Sequence, residues 1–201
     1  MGLGFVLGLR HALDADHVAA VATLLRREQG VAKAMGVGAL WGVGHTASLV
    51  AFGALLVLWR SPWMARIESV GEALVCVMLL VLGALGVVRW RSARDEVNAS
   101  TSVPKSRRRA FAIGAVHGLA GTAATALLAA SAAGGAPVTM LFLLLFGVGT
   151  VIGMGVMTAV MGAGLRHTAR RSMGAYRAVL FLSSALSVAV GVAMAVSLAR
   201  G

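Results

Sequence analysis

Eight consecutive residues, Arg10-His11-Ala12-Leu13-Asp14-Ala15-Asp16-His17, place two imidazoles and two carboxylates inside an otherwise apolar run. On a helix at about 100° per residue, His11, Asp14 and His17 share one broad face. Asp16 points away from it, toward another helix or the back of a ligand. Two imidazole nitrogens with a carboxylate oxygen form a borderline ligand set, suited to Ni, Co, Zn or Cu more than to Mg or Ca. The run 3–25 is long enough to cross a bilayer as one helix. A charged side chain near the middle of such a helix costs about 2.5–3.5 kcal/mol on insertion scales. Two Asp kept there require a compensating partner, and a cation is the simplest one.

The elements that must position this cluster follow from composition. The 201 residues are 59% hydrophobic and 12% charged, with a mean hydropathy of +0.88. That leaves too little polar surface for a soluble domain. The expected fold is an all-α integral membrane protein with six transmembrane helices, at 3–25, 35–58, 69–90, 110–133, 138–165 and 176–198. The first apolar span carries the ionisable cluster itself, so it does not read as a cleavable signal peptide. Cys76, the one cysteine, lies in an apolar run; no intramolecular disulfide can form, and it reads as packing.

The net charge of +11 does not point to nucleic acid, because the basic segments lack interleaved aromatics. It instead sets topology. Fourteen Lys and Arg fall after spans 1, 3 and 5, against three after spans 2, 4 and 6. The richer set belongs in the cytoplasm, so both ends are expected outside. Anionic lipid is the other partner these charges fit. A homo-oligomer is compatible with this reading.

The chain also repeats itself. Phe5, Gly8, His11 and Leu13 correspond to Phe111, Gly114, His117 and Leu119 at an offset of 106. Trp41-Gly42-Val43-Gly44 corresponds to Phe146-Gly147-Val148-Gly149 at an offset of 105. Three spans per half is an odd number, so the halves enter the membrane from opposite sides. The expectation is two inverted three-helix repeats, 1–90 and 110–201, joined by a basic cytoplasmic loop at 91–109, with the site near the midplane between them. At 1.5 Å per residue His11, His17, His45 and His117 all fall in the middle zone of a core about 30 Å thick.

The string RHALDADH resembles the signature of the nickel/cobalt transporter (NiCoT) family: His, four residues, Asp-His. His11, Asp16 and His17 match it, and Asp14 fits its fuller form. Gly44-His45-Thr46-Ala47-Ser48 resembles the family's second motif. The resemblance implies His45 as ligand or gate, with Thr46 assisting. In span 4 the family's acidic motif is replaced by Val116-His117-Gly118-Leu119-Ala120-Gly121-Thr122. This is similar to a shorter branch related to urease accessory nickel permeases, and it leaves the number of carboxylate ligands open. Family members commonly carry a helix before the signature helix; its absence here agrees with an outward N-terminus.

The expected metal residues are therefore His11, Asp14, Asp16, His17, His45, Thr46 and His117. The resemblance implies a multi-pass permease of the cell membrane, a bacterial inner membrane, taking Ni²⁺ or Co²⁺ up as cargo, with no cofactor and no enzymatic activity. An exporter of the same fold would carry a His-rich cytoplasmic loop, and 91–109 contains no His. A haem-binding redox protein would need two facing His but no buried Asp pair. An intramembrane metalloenzyme would need a His-Glu-x-x-His string, which is missing. Met154, Met157 and Met161, at helical spacing, read as core.

Overall fold

The computed structural model describes residues 2–25, 30–58, 63–92, 104–119 and 122–200, and all regular structure among them is helical. The helices are α1 (Gly2–His11), α2 (Ala15–Leu24), α3 (Val31–Leu58), α4 (Trp63–Ser92), α5 (Pro104–His117), α6 (Thr122–Arg171) and α7 (Met173–Arg200). Four stretches are continuous and apolar enough to cross a bilayer: Val31–Phe52, Ser69–Val88, Pro137–Arg171 and Met173–Arg200.

The expected single helix over 3–25 does not form. It is divided between α1 and α2 at residues 12–14. Leu13 and Asp14 donate their backbone N–H to the carbonyls of Arg10 (2.9 Å) and His11 (3.1 Å), three residues back, which tightens the chain. Asp14 is then extended, at φ −60° and ψ 147°, in the position that precedes α2. Short polar side chains such as Asp favour helix boundaries over helix interiors. The N–H groups of Ala12, Leu13 and Asp14 at the break are paired, as a low-dielectric core favours.

The expected span 110–133 is divided in the same manner. Gly118 N–H reaches Gly114 O (2.9 Å) and Leu119 N–H reaches Val116 O (3.2 Å). The bonds from Ala12 to Gly8 (3.2 Å) and from Leu13 to Arg10 are their counterparts 106 positions earlier. The basic loop expected at 91–109 is also shorter than read. α4 runs to Ser92 and α5 starts at Pro104, so Arg107, Arg108 and Arg109 are helical and exposed. Proline suits a first helical position because its missing N–H would be unpaired there anyway. The rest of that expected loop, 93–103, lies outside the described residues. Gly135 breaks α6 at φ 71° and ψ 174°, a conformation open to glycine, two residues before Pro137.

Glycines set how closely the helices approach. A Cβ on Gly8 would strike Phe146 O, and one on Gly149 would strike Phe5 O, where α1 crosses α6. A Cβ on Gly114 would strike Trp41 O, and one on Gly44 would strike Phe111 O, where α5 crosses α3. Gly38 and Gly153 face Met154 O and Ala12 in the same sense. Backbones this close gain dispersion contacts that larger residues would forbid. Trp41, Leu79, Leu143 and Met154 fill the core. Cys76 Sγ donates to Gly191 O (3.1 Å) and Ser187 Oγ to Leu79 O (2.8 Å), joining α4 to α7.

The periphery is apolar. Val70, Leu74, Val77, Val81, Leu85 and Val88 form one exposed stripe on α4, and Leu141, Leu144, Val148, Ile152, Val156 and Val160 another on α6. Stripes of this length would be a liability in water but carry no penalty against lipid tails. The protein is an all-α membrane protein.

Candidate metal site between the broken helices

α1 ends on His11 and α5 ends on His117. A helix C-terminus carries about half a negative charge from its unpaired carbonyls, which favours a cation beside it. The breaks thus deliver two imidazoles at two cation-favouring ends. α2 adds Asp16 and His17 in its first turn, and α3 adds His45.

His17, His45 and His117 are buried, and the ring of His17 sits at the centre. It meets His117 at 4.4 Å, His11 at 4.5 Å and His45 at 5.1 Å between centroids. His11 Nε2 and His45 Nε2 are 3.2 Å apart. Two imidazole nitrogens bound to one ion at about 2.0–2.1 Å, with an angle of roughly 100° between them, would be separated by about that distance. The ligand atoms of His11, His17 and His45 lie within 4.8 Å of one another, and so do those of Asp16, His17 and His117.

Asp14 is half exposed and accepts a bond from His11 Nδ1 (2.8 Å). Asp16, expected to face another helix or the back of a ligand, meets both: its Oδ1 accepts from His17 Nδ1 (3.1 Å) and its Oδ2 from His117 Nε2 on α5 (2.8 Å). With Nδ1 of His11 and of His17 held by carboxylates, Nε2 of each is left to face the cluster. A carboxylate on the far nitrogen fixes the tautomer and orientation of a ligating imidazole and raises its basicity. Nε2 of His17, Nδ1 of His45 and Nδ1 of His117 are buried with no hydrogen-bond partner. Polar atoms left unpaired in such a place mark a site completed by something else.

Thr46 is not in the cluster. Its hydroxyl donates to Gly147 O (3.3 Å), a contact between α3 and α6. Two aromatic rings join the site that chemistry-bearing residue types did not flag. Trp41 is fully buried, at 5.3 Å from the His17 ring and 5.7 Å from the His117 ring. Phe146 lies 5.2 Å from His11. Trp41 precedes His45 by one helical turn, and that spacing was the available signal. The Met residues proved to be core: Met154 and Met157 are buried, with Met161 packed against them.

Comparison with known proteins places this chain in a family. The NicO profile, described as high-affinity nickel-transport protein, matches residues 1–193. The chain belongs to the NicO family. It is a membrane transport protein and not an enzyme. Among NicO relatives, urease accessory protein UreH of Bacillus sp. (strain TB-90) is 31% identical over 179 residues, covering 84% of this chain and 78% of that protein. Chloroplast protein FOR GROWTH AND FERTILITY 1 of Arabidopsis thaliana is 30% identical over 96% of this chain, which spans 58% of that longer protein. High-affinity nickel-transport protein NixA of Helicobacter pylori is 27% identical over 95 residues, 43% of this chain and 28% of that protein. No solved structure matches. The resemblance carried by residues 10–17 and 44–48 therefore holds, and the broad match to UreH agrees with the shorter branch.

Proposed function

We propose that this NicO protein is a secondary permease that carries Ni²⁺, with Co²⁺ as an alternative substrate, into the cytoplasm across a bacterial inner membrane. The observation that carries this reading is the cluster itself: four imidazoles and two carboxylates gathered where two broken helices meet α3. A nitrogen-rich set of this kind prefers late first-row divalent ions. Nε2 of His17, buried without a partner, supplies a lone pair that replaces water an ion sheds on entering.

Six crossing segments, arranged as two inverted three-helix repeats over 1–90 and 110–201 with a cytoplasmic connection between, fit this function. The reciprocal contacts support that plan. Gly8 against Phe146 corresponds to Gly114 against Trp41, and Phe5 against Gly149 corresponds to Phe111 against Gly44. Two bonds of the turns that close α1 and α5 correspond, as do the ring contacts of His11 with Phe146 and His117 with Trp41. Discontinuous helices meeting at a repeat interface are how many secondary transporters build an ion site.

Uptake is favoured over export because the connection 91–109 lacks His to load an ion from the cytoplasmic side. The haem reading loses ground, since imidazoles packed ring to ring at 4.4–6.0 Å leave no slot between them for a porphyrin plane. The deciding experiment is flux into proteoliposomes holding the purified protein, with Ni²⁺, Co²⁺, Zn²⁺ and Mg²⁺ compared. Ni²⁺ entry above protein-free vesicles, with Mg²⁺ excluded, is the expected outcome. Absence of Ni²⁺ flux from correctly inserted protein would sink the proposal.

A further inference from the structure

We infer that the cluster is two adjacent ion stations sharing His17, and that the ion is handed from one to the other during transport. This rests on the nickel reading above and adds to it how the ion moves.

The geometry separates the ligands into two sets. His11 and His45 meet on one side of His17, with their Nε2 atoms 3.2 Å apart. Asp16 and His117 meet on the other, with Oδ2 and Nε2 2.8 Å apart. Each set closes with His17 into a triad of metal-ligand dimensions. His17 turns Nδ1 to Asp16 and leaves Nε2 unpartnered in the interior, so its two ring nitrogens serve the two sides.

The stations differ in chemistry. The first offers three imidazoles, and the second two imidazoles and a carboxylate. They also belong to different parts of the chain. The first is built on the end of α1, and the second is closed by the end of α5. An ion leaving the first for the second exchanges the nitrogens of His11 and His45 for Asp16 and His117 while His17 remains beside it. His17 and His117 each free the nitrogen that donates to Asp16 by shifting its proton to their opposite, unpartnered nitrogen, Nε2 and Nδ1, so each ring stays neutral and offers a lone pair. At no point does it return to bare hydrocarbon, where an unligated cation would be prohibitively costly. Occupancy is one ion at a time, because two divalent cations on either side of one imidazole repel strongly.

The test is Ni²⁺ binding to the purified full chain in detergent, by equilibrium dialysis, for wild type, His45→Gln, His117→Gln, the double variant and His17→Gln. Gel filtration and helical circular dichroism select folded protein. His45→Ala and His117→Ala replace any Gln variant that fails this check. Two alternative stations make the affinities additive. Each single variant then still binds one ion, and the double variant loses far more than the product of the two single losses. His17→Gln loses as much as the double variant. If the single losses simply multiply in the double variant, or if either single variant is as weak as His17→Gln, there is one station and the inference is overturned. That result leaves the nickel reading intact. A folded wild type that does not bind Ni²⁺ overturns both.

Discussion

His11 and His117 stand 106 positions apart, and each is the last helical residue of a half-helix that ends in a matching turn. Both rings pack against His17, at 4.5 Å and 4.4 Å. Two helix ends of the same polarity, drawn from the two halves of the chain, thus converge on one imidazole. Their carbonyl ends favour positive charge, and neither would exist had the spans formed as uninterrupted helices.

Transport should stop when this convergence is removed. His11→Ala and His17→Ala each take a nitrogen from an ion that has shed water, and in a core without solvent nothing replaces it. Uptake into proteoliposomes should fall to the protein-free level for both. Wild-type flux from either variant would show that the cluster is packing.

The two carboxylates should differ in weight. Asp16 is 23% exposed and holds both His17 and His117, whereas Asp14 is 50% exposed and holds His11 alone. Loss of a carboxylate behind a ligating imidazole typically costs about 10–100-fold in metal affinity. Asp16→Asn should reach or exceed the upper end of that range and Asp14→Asn should stay near the lower end, measured as Ni²⁺ dissociation constants. The reverse order would return Asp14 to the position that a single straight helix gives it.

The glycine crossings should be intolerant of any side chain. Gly8→Ala and Gly114→Ala drive a Cβ into Phe146 O and Trp41 O, and overpacking of this kind costs roughly 1–3 kcal/mol. Gly36→Ala serves as the control, since nothing lies within 4 Å of its added Cβ. Thermal denaturation in detergent should show both crossing variants lowered and the control unchanged or raised. Equal melting temperatures for all three would show that α1 and α5 do not approach α6 and α3 this closely.

Both ends of the chain should face outward, given the fourteen-to-three division of Lys and Arg. A reporter fused after Gly201 that works outside the cytoplasm should be active, and a cytoplasm-dependent reporter at the same point should be silent. The opposite pair of results would reverse the orientation.

Much of this protein was legible in one dimension because its causes are local. Apolar runs long enough for a bilayer announce a helical membrane protein whatever their arrangement. The cost of charge in hydrocarbon marks His11, Asp14, Asp16 and His17 as a site before any fold is known. His45 and His117 could be added from their depth along their spans. The tertiary structure decided the rest. Helical periodicity assigned Asp14 to the ligand face and Asp16 to the back, because it assumed one continuous helix. The break at 12–14 depends on where the orphaned polar groups find partners, and Asp16 finds His117, 101 residues away. Thr46 was drawn off to Gly147 O by the approach of α6, and Trp41 entered the site because α3 crosses α5 at Gly114. Spacing along a chain reports which residues can share a face. Which of them share an ion is set by helices that meet only after folding.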